Sequence, residues 1–73
     1  MAKAKITNHI RRLRFEHGEM TQAELAKRVG CTRQTIVLLE QSRYSPSLAL
    51  AFQIAQCFDK TVDDIFQLQR PKE

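Results

Sequence analysis

The chain has 73 residues, 42% of them hydrophobic, a formal net charge of +4 and a sequence pI of about 9.5. This length predicts one domain, residues 1–73, with a core so small that dimerisation would add useful stability. No apolar run approaches the roughly 18 residues of a membrane span and no secretory signal is visible, so we expect a cytoplasmic protein.

The first predicted helix starts at Thr7 or Asn8 and ends at Gly18, a residue that tolerates the backbone conformation after a helix. Its apolar positions return at the helical period, which predicts one buried face. These positions are Ile6, Ile10, Leu13 and His17.

A capping box marks the second predicted helix. The hydroxyl of Thr21 can accept a hydrogen bond from the backbone N–H of Glu24, whose side chain can reach back to Thr21. Gly30 stops this helix, and Thr32 caps a third one that runs to about Gln41.

Two further helices complete an all-α prediction. Ser45 or Ser47 begins the fourth helix. Thr61, with Asp64 three residues later, begins a short fifth helix whose acidic first turn suits the helix dipole.

The two ends of the chain can form a small ribbon. Residues 66–69 alternate apolar and polar side chains, which is the period of a strand, and Pro71 ends the pattern. Ala4–Ile6 is a short extended segment near the other terminus, so the two can pair as antiparallel strands.

The spacing within residues 22–41 is typical of a helix-turn-helix. Two helices that cross closely need a slim residue at the crossing, which Ala26 supplies, and a turn that permits positive φ, which Gly30 supplies. Ile36 and Leu39 then face the core from the second of these helices.

The outer face of the third helix predicts base recognition, since it carries no acid. Arg33 can pair with guanine and Gln34 with adenine in the major groove, and the aliphatic Val37 and Leu38 suit thymine methyl groups. The predicted base-reading residues are Thr32, Arg33, Gln34, Thr35, Val37 and Leu38.

The segment TQAELAKRVGCTRQTIVLLEQSRYSPSLALAFQIA, followed by TVDDIFQ, resembles the Cro/CI-type (XRE) helix-turn-helix family, in particular its short single-domain repressors. The resemblance covers about residues 6–67 and implies a five-helix, lambda-repressor-like domain with its third helix in the major groove. It implies an ion pair between Arg14 and Glu40. It also implies DNA phosphate contacts from Gln22, Arg14, Gln41, Ser42 and Arg43. The family often has Asn-Gly where Gln41-Ser42 stands, so the turn there can differ.

The charge distribution divides the chain. Residues 1–43 hold nine Lys or Arg against four Glu, whereas residues 44–73 hold three against four acids, so affinity for a polyanion belongs to the first part. The short repressors that this chain resembles dimerise through the part that corresponds to residues 44–73. The resemblance therefore predicts a homodimer that binds a palindromic operator. The predicted dimer residues are Tyr44, Pro46, Val62, Ile65 and Phe66, of which Ile65 and Phe66 can instead be monomer core.

Other functions are less favoured. No Gly-rich phosphate loop or paired carboxylates suggest an enzyme, and the two cysteines and two histidines lack metal-site spacing, so we expect no cofactor, metal or small-molecule effector domain. An antitoxin-like or adaptor protein that binds a partner protein is the main alternative, and a thiol sensor through Cys31 is another. Phe15 lies away from the predicted core face and has no assigned role.

Overall fold

The chain folds as five helices and a two-stranded antiparallel sheet, as shown by a computed structural model that describes residues 5–69. The helices are α1 (Ile10–Glu16), α2 (Gln22–Val29), α3 (Arg33–Glu40), α4 (Leu48–Cys57) and α5 (Val62–Ile65). The strands are β1 (Lys5–Asn8) and β2 (Phe66–Gln69). The predicted fold class is therefore confirmed, while Ala4 and Pro71 lie outside the described residues.

Hydroxyl side chains cap four of these helices. The Thr21 hydroxyl accepts the Glu24 backbone N–H at 3.0 Å, and the Glu24 carboxylate accepts the Thr21 N–H at 3.4 Å, which completes the predicted capping box. The caps of α3, α4 and α5 are Thr32, Ser47 and Thr61. Each cap contributes about 1 kcal/mol to helix stability.

The first helix begins later than the sequence suggested, at Ile10 and not at Thr7 or Asn8. Residues 5–8 are taken by β1, in which Ile6 pairs with Leu68 of β2. Asn8 ends the strand and its side-chain oxygen accepts the backbone N–H of Ile10 at 3.1 Å. Pairing with a distant strand therefore outcompetes the first turn of the helix.

The core lies between the helices and leaves the outer side of α3 uncovered. All five helices contribute apolar side chains that are fully or nearly buried. Removing this apolar surface from water stabilises the fold by about 25 cal/mol per Å². The largest fully buried side chains are Ile10, Leu25, Ile36, Leu39, Ile54, Phe58 and Ile65.

Candidate nucleic-acid interface

The turn between α2 and α3 is as tight as the sequence predicted. Gly30 has a φ of +76°, and the backbone N–H groups of Gly30 and Cys31 both donate to the carbonyl of Ala26. Ala26 is buried where the two helices pack. This turn directs the buried face of α3, with Ile36 and Leu39, toward the core and leaves its other face outside.

The outer face of α3 offers both polar and apolar groups. Arg33 and Gln34 are exposed, whereas Val37 and Leu38 are half-buried. At the start of the helix, the Thr32 hydroxyl accepts the Thr35 backbone N–H at 3.2 Å and lies 3.1 Å from the Thr35 hydroxyl. These six predicted base-reading residues thus all lie within residues 32–38, at and after the α3 cap, and only the core residue Ile36 interrupts them.

An ion pair joins α1 to the end of α3. Arg14 donates from Nε to Glu40 Oε2 at 2.7 Å and from Nη2 to Glu40 Oε1 at 3.0 Å, and from Nη1 to the carbonyl of Met20 at 2.8 Å. Gln22, the first residue of α2, donates from Nε2 to Glu40 Oε1 at 3.2 Å. Because the Arg14 and Glu40 side chains are only 14% and 9% exposed, this cluster fixes three helices at the edge of the α3 face.

The turn after α3 contains Ser42, at a position where the Cro/CI-type family often has glycine. Ser42 has a φ of +57°, its N–H donates to Leu39 O at 3.0 Å, and the N–H of Arg43 donates to Leu38 O at 3.0 Å. This is the Schellman arrangement that closes many helices. Gln41 and Arg43 are exposed beside it, next to the end of the α3 face.

A groove of about 730 Å³ runs between α1 and α3. Arg11 and Phe15 line it from α1, and Arg33, Val37 and Gln41 line it from α3. Its lining also includes Gln22 and the ion-paired Arg14 and Glu40. The sequence indicated only that Phe15 lies away from the core face of its helix. It could not predict that Phe15 lies opposite α3, because that position depends on how the helices pack.

The predicted dimer residues are not equally available to a partner. Tyr44 is exposed, Pro46 is half-buried, and Val62 and Phe66 pack partly against the core. Ile65 has no exposed surface, so it serves the core and offers nothing to a second copy. Leu48 and Phe52, one turn apart on α4, are 72% and 52% exposed, and the sequence reading missed them.

The two cysteines are free and half-buried. Burial raises the pKa of the Cys31 thiol, so less of it is in the reactive thiolate form near neutral pH, which weakens the thiol-sensor hypothesis. Within residues 5–69, no three His, Cys, Asp or Glu side chains are grouped as metal ligands would be. The helices of this same range are all too short to cross a membrane.

Comparisons with known proteins agree with this geometry. A family model described as helix-turn-helix (HTH_3) matches residues 10–65. An uncharacterized HTH-type transcriptional regulator of Archaeoglobus fulgidus is 53% identical over 57 residues, which covers 78% of this chain and 80% of the relative. One from Methanothermobacter thermautotrophicus is 57% identical over 60 residues, covering 81% and 86%.

A solved structure from Bacteroides fragilis has the same fold. It superposes with a TM-score of 0.71 and covers 85% of this chain and 98% of its own, at 19% sequence identity. The arrangement of the helices is therefore shared by chains whose sequences have diverged widely.

Proposed function

Since the chain belongs to the Cro/CI-type (XRE) helix-turn-helix family of DNA-binding transcriptional regulators, which are not enzymes, we propose that it is a repressor that binds a palindromic operator as a homodimer. Helix α3 enters the major groove, and each protomer reads one half-site. Two half-sites one helical turn apart, about 34–36 Å, supply the affinity that one recognition helix lacks.

The outer face of α3 carries this proposal. Arg33 pairs with guanine O6 and N7, and Gln34 with adenine N6 and N7. Val37 and Leu38 are half-buried in the free protein, and thymine methyl groups cover what remains exposed. Thr32 and Thr35 contribute hydroxyls to base edges or phosphate at the start of the helix.

Phosphate contacts near the C-terminal end of α3 set its position. The amide nitrogen of Gln22 uses one N–H on Glu40 and keeps a second for a phosphate oxygen. Arg14 similarly keeps one N–H on each terminal nitrogen after its bonds to Glu40 and Met20. Beyond the helix, Gln41, Ser42 and Arg43 contact the backbone of the same half-site.

The second copy binds through the near-neutral part of the chain after residue 43. Tyr44, Pro46, Val62 and Phe66 contribute to that contact, as the sequence suggested. The exposed apolar pair Leu48 and Phe52 on α4 supports it, because large apolar side chains that stay in water favour a partner. The balance of charge in residues 44–73, three basic against four acidic, allows two copies to approach without strong repulsion.

Selection of bound fragments from a random duplex library tests the proposal. We expect an enriched inverted repeat, and a reporter whose promoter contains that repeat should fall in expression when the protein is present. The proposal is overturned by equal affinity for all duplexes. Recovery of a stoichiometric partner protein in place of DNA would support the antitoxin-like or adaptor alternative.

A further inference from the structure

The groove between α1 and α3 has two walls of different character. The α3 wall contains Arg33 and Val37, which the proposed function assigns to bases. The α1 wall contains Arg11 and Phe15, and Phe15 is 69% exposed. Packing in the core does not explain why this aromatic ring stays exposed beside the candidate nucleic-acid interface.

The charges of the groove suit a phosphate backbone. Its lining residues include three arginines, Arg11, Arg14 and Arg33, and two glutamates, Glu19 and Glu40. Glu40 is neutralised by its ion pair with Arg14, so the groove keeps a positive balance. A sugar–phosphate strand offers anionic oxygens to guanidinium groups and apolar deoxyribose C–H groups to a ring.

We infer that the exposed side of α1 is a second wall of the DNA interface, in which Phe15 packs on deoxyribose and Arg11 pairs with the adjoining phosphate. With α3 in the major groove, the strand at the edge of that groove lies between the two helices. Gln22 and Arg14, which sit between the walls, hold phosphates of the same strand. This inference rests on the proposed function, because it assumes that α3 faces DNA.

Binding to a random-sequence 20-base-pair duplex tests the inference, since backbone contacts do not need the operator. Phe15→Ala should lower affinity about five- to tenfold by removing apolar contact, with little change in the slope of affinity against salt. Phe15→Leu should keep most of the affinity. Since the ring is exposed, the melting temperature of both variants should match the wild type.

A pair of neighbouring arginines provides the matched control for charge. Arg11→Ala should reduce the slope of log K against log salt by about 0.9, the value for one neutralised phosphate. Arg12 is next to Arg11 but lies outside the lining of this groove, bonded to Glu16 at 3.3 Å, so Arg12→Ala should leave the slope nearly unchanged.

Two outcomes separate this inference from the proposed function. The proposed role of the α1 wall is wrong if the wild type binds DNA and Phe15→Ala binds it equally well. It is also wrong if Arg11→Ala and Arg12→Ala change the salt slope equally. In both cases the proposed recognition of DNA by α3 is unaffected. If the wild type binds no duplex at low salt, the proposed function itself fails.

Discussion

The guanidinium of Arg14 holds the carboxylate of Glu40 with two hydrogen bonds, at 2.7 and 3.0 Å, across 26 residues of sequence. The pair ties α1 to the last residue of α3 and lies largely out of water. It therefore affects both the stability of the fold and the orientation of the helix that we propose reads DNA.

Removing Arg14 should be costly. Arg14→Ala leaves the Glu40 carboxylate buried without its cation, and we expect a loss of about 2–3 kcal/mol in the free energy of unfolding, measured by urea denaturation. Arg12→Ala is the matched control, because the Arg12–Glu16 pair has side chains 74% and 53% exposed and should change stability by less than about 0.5 kcal/mol. Equal losses in the two variants would contradict a structural role for the Arg14–Glu40 pair.

Arg33 should determine specificity more than affinity. Once an operator is known, Arg33→Ala should lose about 1–3 kcal/mol of discrimination at one base pair, a guanine in our assignment, in competition binding. Arg28→Ala, an exposed arginine on α2 outside the groove lining, should weaken all sequences alike or not at all. If Arg33→Ala also weakens every sequence equally, Arg33 contacts phosphate and does not read a base.

The helices could be predicted from the sequence because their signals are local. The capping box at Thr21 and the turn glycine Gly30 act within a few residues, so the structure repeats them as predicted. The length of β1 could not be predicted in this way, because Asn8 joins the strand through its partner Phe66, 58 positions along the chain. The place of Phe15 opposite α3 depends on helix packing, which no local pattern contains.

The serine at position 42 should limit stability. Holding a residue with a Cβ atom in the left-handed conformation costs about 1–2 kcal/mol of conformational free energy. Glycine has no Cβ and avoids part of this cost. Ser42→Gly should therefore stabilise the protein by about 0.5–1 kcal/mol and raise the melting temperature by about 2–8 °C. The same change at Ser47, which caps α4 with a φ of −62°, should lower stability by a few tenths of a kcal/mol. A lower melting temperature for Ser42→Gly would show that the Ser42 side chain contributes more than its backbone costs.

Acid should weaken the start of α5. The backbone N–H of Thr61, and then its side chain, hold the pKa of the Asp64 carboxyl below its ordinary value of 3.8. Since the folded pKa is the lower one, this contribution is complete above 3.8 and is lost as the pH falls from there through the folded pKa. Melting curves between pH 5 and about 2 should show that Asp64→Asn loses stability less steeply with acid than the wild type does. Identical curves for Asp64→Asn and the wild type would contradict this origin.

Self-association should depend on α4. Phe52→Ala removes an exposed ring, and a two-fold contact contains it twice, so we expect a dimer weaker by about 2–4 kcal/mol. The dimer Kd, measured by sedimentation equilibrium, should then rise by about 30- to 1000-fold. Phe15→Ala is the matched control, because its ring is 69% exposed but lines the groove beside α3, so that variant should assemble normally. The weaker dimer should also be visible in DNA binding. Phe52→Ala should bind a full palindrome less tightly than the wild type and a single half-site with unchanged affinity.

The dimer part of the proposed function would be contradicted if the wild-type chain stayed monomeric at high micromolar concentration, with and without the palindrome. Each α3 would then read its site as part of a monomer.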